Sequence, residues 1–283
     1  MNQSVDALLA RHPELVRLGG RPPLATYLRL LWCHRAFVLT VPLGELRAQH
    51  QHTVLGRAWH LLNPILSAAV YYLVFGVVLG ARTDVVNYPA FLVIGLFVFT
   101  YSSKCATAGA RTIVTNARLL QSLTFPRATL PVAGVLRETI AQAPMVTVML
   151  ALVLLTGERP AWEWLLIVPV YALQALFNIG LSLVAARATF HFRDVEQILP
   201  YVLRLWLYVS GVFFAAERVP AGWARTLFDT NPMQVFLRLA RGLLMGTGAA
   251  PEQWGAAAAW AGAALVAGFV FFQRREGDYG RGW

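Results

Sequence analysis

The sequence predicts an all-α membrane protein: six transmembrane helices, an amphipathic interface helix ahead of them, and short re-entrant helices between the fifth and sixth spans. Three observations predict it. The chain of 283 residues is 57% hydrophobic and only 13% charged, where a soluble domain carries roughly 25% charged residues; its mean hydropathy is +0.55. Apolar runs of about 20 residues, the length that crosses a hydrocarbon core, recur along it. Its arginines gather in alternate connections between those runs.

In chain order the spans fall at roughly 61–80, 88–110, 131–155, 162–186, 197–216 and 252–272. The first starts at Asn63-Pro64, with proline suited to a first helical turn. Turn signals separate the rest: Thr83-Asp84 with Asn87-Tyr88-Pro89, then Phe125-Pro126, then Gly157 to Pro160, then His191 to Asp194. The last span is rich in small residues, and Gly255 and Ala259, four apart, suit close helix packing.

Two regions are neither spans nor simple loops. Residues 24–60 mix Tyr27, Trp32 and Phe37 with Arg29, His34 and Arg35, the pattern of a helix lying on a membrane surface. Residues 217–251 are too long and too apolar for an external loop. Asn231 suits an N-cap with Pro232 behind it. Phe236, Leu239, Ala240 and Leu243 form an apolar face there, with Gln234, Arg238 and Arg241 turned away from it. This predicts two short helices that dip into the outer leaflet and return.

Arg11, Arg17, Arg21, Arg29, Arg35, Arg47 and Arg57 precede the first span. Arg111, Arg118 and Arg127 lie between the second and third, Arg187 and Arg193 between the fourth and fifth, and Arg274, Arg275 and Arg281 in the tail. The intervening loops hold one each, Arg82 and Arg159. Positive charge favours the cytoplasmic side, which places both termini there. The domains are then a cytoplasmic amino-terminal segment with its interface helix, 1–60, a membrane domain, 61–272, and a tail, 273–283. No secretory leader pattern is visible. The net charge of +10 marks cytoplasmic loops rather than a nucleic-acid surface.

Several chemistries are excluded or disfavoured. A phosphate-binding ATPase loop needs a lysine in a glycine frame; the single lysine, Lys104, follows Ser102-Ser103 inside a span. No HExxH, GxSxG or paired-cysteine motif occurs, and Cys33 and Cys105 read as free thiols. His34, His50, His52 and His60 read as a basic surface rather than a metal centre. The sparse carboxylates disfavour a membrane glycan-modifying enzyme.

Intramembrane charges are costly and default to function. Lys104 reads as a snorkelling anchor. Arg204 sits inside the fifth span and Glu138, beside Arg137, inside the third. Either Arg204 pairs with Glu138, or Arg204 or Arg137 faces a central chamber and holds a phosphate. Arg193 and Asp194 mark the turn before the fifth span, with Asp194 near the positive end of its dipole.

Leu55-Gly56, Trp59 and Asn63-Pro64, then Asn116 and Phe125-Pro126-Arg127, then Arg193-Asp194 and Asn231-Pro232, stand in an order and spacing that resembles the permease subunits of ABC-2 type polysaccharide exporters. The resemblance covers the chain from about residue 28. It implies a homodimer in a bacterial inner or cytoplasmic membrane, bound to two copies of a separate ABC ATPase that carries the ATP and magnesium, with no cofactor or metal in this chain. It implies export of a polyprenyl-diphosphate-linked glycan such as O-antigen or teichoic acid. Residues 111–130, with Arg111, Asn116, Arg118, Phe125, Pro126 and Arg127, would form the cytoplasmic coupling helix. Tyr71, Tyr72, Phe75, Arg204, Trp206, Tyr208, Phe213 and Phe214 would line the sugar path, although each aromatic also suits a packing or anchoring role. Many members carry Ser-Pro where this chain has Ser210-Gly211. An ABC-2 drug or small-lipid permease is the alternative.

Overall fold

The computed structural model describes residues 58–80, 85–116 and 126–274, together with Arg29, Thr40 and Gly44. The expected interface helix, the tail after Arg274, and the histidines before residue 58 lie outside the described residues, apart from those three isolated positions. Among the described residues every regular element is helical.

Helix α1 spans Ala58–Tyr71 and widens into a π-helical stretch, Tyr72–Val78. Pro64 lies within α1 rather than in an opening turn, correcting the sequence expectation; its missing N–H removes a ladder bond there. The π stretch closes with Leu79 N–H donating to Val74 O at 2.9 Å. Gly76 allows it to lie close to its neighbours, since a Cβ there would come within 3.1 Å of the Tyr72 and Tyr88 rings.

Helix α2, Tyr88–Thr115, begins on Asn87, whose side-chain oxygen accepts from Ala90 N at 3.2 Å. The Asn87 amide also donates to Thr156 and, at 2.8 Å, to Glu158, tying this end to the end of α3, Thr129–Leu155. A short 3-10 turn, Trp162–Leu166, leads into α4, Ile167–His191. Helix α5 is Val195–Val209, α6 is Trp223–Thr230, α7 is Pro232–Leu244 and α8 is Pro251–Gln273.

Four of these are long and apolar enough to cross a membrane: Tyr88–Thr115, Thr129–Leu155, Trp162–His191 and Pro251–Gln273. They coincide with the expected second, third, fourth and sixth spans. The chain is thus a multi-pass membrane protein. The expected first and fifth spans are shorter as helices. The fifth, drawn at 197–216, stops at Val209 after 15 residues, or roughly 22 Å at 1.5 Å per residue.

Helix α2 is the centre of the bundle. Ala90, Leu92, Ile94, Val98, Cys105 and Ala110 are fully buried around it. Gln174 on α4 donates to Val98 O and to Ser102 Oγ, both at 2.8 Å, so a buried amide fixes α4 against α2. Gly109 has no room for a side chain because Ser182 of α4 fills that space. Helix α8 meets α4 through backbone: a Cβ on Gly180 would collide with Ala264, and one on Gly268 with Gly180 itself. The close-packing seam is therefore Ala257, Ala261, Ala264 and Gly268. Gly255 and Ala259, the expected pair, are exposed; seam and expectation lie on different faces of one helix.

Candidate functional site

Past α5 the chain does not remain helical. Ser210 is buried, Gly211 turns with φ +69°, and Val212 and Phe213 follow in irregular, buried backbone. Lipid tolerates such backbone only where protein satisfies its polar groups. Here three successive carbonyls are capped by side chains. Arg241 on α7 donates through Nη1 to Gly211 O at 2.9 Å and through Nη2 to Val212 O at 3.0 Å. Tyr88 Oη donates to Phe213 O at 3.0 Å. The same guanidinium donates to Phe91 O at 3.2 Å and stands 3.3 Å from the centroid of the Phe91 ring.

Arg241 is only 7% exposed, and no carboxylate pairs with it among the described residues. Its planar fork makes four hydrogen bonds to three fixed carbonyls, so the buried charge is solvated by backbone. The sequence reading placed Arg241 and Gln234 away from the apolar face of α7; both are buried. The signal was present: Met233, Leu237 and Leu244, all buried, flank position 241 at helical spacing. Arg238 does face the polar side, pairing with Asp229.

Asn231 locks the same break from below α7. Its side-chain oxygen accepts from Met233 N and from Trp206 Nε1, both at 3.0 Å, while its amide donates to Ser210 Oγ at 3.2 Å. Ser210 Oγ in turn donates to Trp206 O at 2.6 Å.

The structure divides the eight expected path residues. Tyr71, Phe75, Tyr208 and Phe213 form one cluster: Phe75 stacks on Phe213 with centroids 4.3 Å apart, and Phe213 lies 4.9 Å from Tyr71 and 5.4 Å from Tyr208. Trp206 turns inward against Phe99 and Phe177. Phe214 stacks on Phe228 of α6, and Tyr72 faces Tyr88.

Tyr71 also borders a cavity of about 530 Å³ between α1, α2 and α5. Its walls include Trp59, Asn63, Ser103, Lys104, Thr107 and Arg204. Arg204 therefore faces a chamber and does not pair with Glu138. Glu138 is engaged by its neighbour Arg137, with Nη2–Oε1 at 2.9 Å. Lys104, read from sequence as an anchor, lines the same chamber.

Comparison with known proteins assigns this architecture. Residues 43–245 match the family described as ABC-2 type transporter. The chain belongs to that family. An O-antigen export system permease protein of Myxococcus xanthus is 30% identical over 206 residues, 72% of this chain and 78% of its own length. A permease protein of the O-antigen export system of Klebsiella pneumoniae is 28% identical over 202 residues, 71% of this chain and 77% of its own. A polysialic acid transport protein of Escherichia coli is 22% identical over 205 residues, 72% and 79% respectively.

The remaining candidates of this ABC-2 chain gather at the end of the bundle opposite Asn87. Arg111, in the last turns of α2, pairs with Glu196 of α5, Nε–Oε1 2.9 Å; both side chains are partly exposed, so the bridge contributes little by itself. Asn116 closes α2, its amide donating to Thr112 O at 2.9 Å. Pro126 O accepts from Thr129 Oγ1 at 2.6 Å at the start of α3, with the half-buried Arg127 between them. Arg118 and Phe125 lie outside the described residues. Arg193 and Asp194 are exposed in the turn before α5. Asp194 holds the N-cap position of α5 without a side-chain capping bond, and Glu196 stands in the first turn.

Proposed function

We propose that this chain is the permease subunit of an ABC exporter that carries a polyprenyl-diphosphate-linked polysaccharide, such as O-antigen or another cell-surface glycan, across a bacterial inner or cytoplasmic membrane. The observation that carries the reading is the continuity of the Tyr71 aromatic cluster with the hydroxyl- and cation-lined cavity. Sugar rings stack on aromatic faces and hydrogen-bond to hydroxyls, so this surface suits a glycan better than a small apolar drug. The relatives named for O-antigen export and polysialic acid transport support the same class.

In this reading two copies of the chain form the conduit, and each permease subunit binds one of two ABC ATPase subunits, where ATP and magnesium reside. This chain has no catalytic role. It passes the membrane six times, α1 with its π stretch and α5 with residues 210–215 supplying the two crossings that are short as helices. Both termini are cytoplasmic, 1–60 and 273–283 flank the membrane domain, and residues 111–130 receive the push of the ATPase. ATP binding there shifts the population between two packings of the spans. The Arg111–Glu196 contact, which ties the end of α2 to the start of α5, supports this reading, and in it α6 and α7 are the outer re-entrant helices.

The test is co-purification with a co-expressed ABC ATPase from the same organism, followed by ATP-dependent movement of lipid-linked glycan in inverted vesicles. Stable assembly and glycan movement are expected. No complex with the ATPase would overturn the permease reading. A complex that moves drugs or short lipids but no glycan would assign the alternative substrate class.

A further inference from the structure

We propose that Lys104 and Arg204 together form a phosphate-binding site within the membrane, for the phosphate group of a lipid-linked substrate. The inference rests on the exporter reading and assigns residues to it. The two cations reach one cavity from opposite helices, α2 and α5, and no carboxylate is among its lining residues. Neither makes a hydrogen bond or ion pair with any described residue, and Glu138, the nearest sequence candidate for a partner, is already held by Arg137 at 2.9 Å.

The two stand at one level. Lys104 lies roughly 16 Å along α2 from its end at Thr115, and Arg204 roughly 14 Å along α5 from its start at Val195. The Arg111–Glu196 bridge ties those two ends together. Lys104 is half-buried and Arg204 lies on the open side of the cavity; within lipid, two like charges facing one chamber without an anion are costly. A multiply charged anion between them removes that cost.

The wall chemistry selects which anion. A guanidinium fork and an ammonium point charge complement clustered phosphate oxygens. Asn63, Ser103 and Thr107 add an amide and two hydroxyls, all able to donate to oxygens. A volume of about 530 Å³ exceeds what a single small ion fills and accommodates a diphosphate with the first atoms of its two substituents. Tyr71 borders both this cavity and the aromatic cluster, so a sugar beyond the phosphate would meet ring faces. A bound phosphate therefore marks the lipid end of the substrate, and the aromatic cluster its glycan end.

The experiment uses the permease–ATPase complex in phosphatidylcholine nanodiscs, titrated calorimetrically with farnesyl diphosphate, farnesol and inorganic pyrophosphate. Farnesyl diphosphate is expected to bind, and farnesol and pyrophosphate to bind at least tenfold more weakly. Lys104→Gln and Arg204→Gln should each weaken farnesyl diphosphate by about tenfold or more, the loss expected for one charge-assisted contact. The charge-keeping pair Lys104→Arg and Arg204→Lys should stay within about threefold of wild type, which separates lost charge from lost folding. Equal binding by wild type and the double glutamine variant overturns the site. Equal binding of farnesol removes phosphate recognition, and equal binding of free pyrophosphate removes the lipid-borne source. Competition by phosphatidylglycerol as strong as by farnesyl diphosphate assigns the cavity to bulk lipid and also overturns the proposal. Glycan movement is measured in parallel. Export that persists unchanged in the double variant sinks the site and leaves the exporter reading standing; diphosphate binding without any glycan movement does the reverse.

Discussion

The guanidinium of Arg241 stands where a side chain at residue 95 would have to go: a Cβ built on Gly95 comes within 2.6 Å of Nη2 and 3.2 Å of Val212. Gly95 is thus the vacancy in α2 that lets an arginine of α7 reach the opened carbonyls after α5. Gly95→Ala should push the guanidinium off Gly211 and Val212 and destabilise the protein by about 1–3 kcal/mol. Arg241→Leu should cost at least as much, because the carbonyls of Gly211 and Val212 lose their donors in a setting without water. Arg241→Lys should fall between, keeping a charge but not the planar fork. Thermal unfolding in detergent of the three variants checks the order.

Asn231 joins a helix cap, an indole and a hydroxyl in one side chain. Asn231→Ala should cost about 1–3 kcal/mol, more than an ordinary cap deletion, since the N–H of the half-buried Trp206 also loses its acceptor. Asn231→Asp retains both accepting contacts and loses only the donation to Ser210, so it should cost less. The same melting experiment distinguishes the two, and a milder effect for alanine than for aspartate would contradict the network.

Gly180 and Gly268 bring the backbones of α4 and α8 into contact. Without a hydrophobic drive between helices in lipid, such close approach is what holds the pair. Gly268→Val should separate them and lower stability by about 3 kcal/mol. Gly262→Val, on the open face of the same helix where nothing lies within 4 Å, should leave the melting temperature nearly unchanged. Similar losses at both positions would show that helix propensity, not packing, governs the effect.

The parts of this molecule legible in its sequence are those set by local chemistry. Long apolar runs announced α2, α3, α4 and α8, and Asn231-Pro232 announced the start of α7. The early end of α5 was not legible. Gly211 and Val212 are as apolar as the helix before them, and hydropathy counts composition, not backbone hydrogen bonds. The burial of Arg241 is signalled by Met233, Leu237 and Leu244, but its acceptors are not legible: they come from α2 and from the segment after α5, far away in sequence. Lys104 and Arg204 both stood out as membrane charges, but only the packing of α2 against α5 brings them to one chamber.

Asp229 at the end of α6 accepts from Arg225 Nε at 2.9 Å and from Arg238 Nη2 of α7 at 2.5 Å, clamping α6 to α7. Burial pushes its carboxyl up, but the hydrogen bonds and charges of the two arginines outweigh burial and hold it below the usual carboxylate range. A depressed carboxyl stabilises the folded state fully above its unfolded value, about 3.9, and loses that contribution as pH falls through its lower folded value. The clamp should therefore be insensitive to pH from neutrality down to about 4 and loosen only below it. Hydrogen exchange of the α6 amides, followed from pH 6 to pH 3 and corrected for intrinsic rates, should show protection falling across the acid end in the wild type. In Asp229→Asn, protection should be lower at pH 6 and flat with pH. A wild-type profile as flat as that of the variant would mean that the two arginines do not hold the helices through this carboxylate.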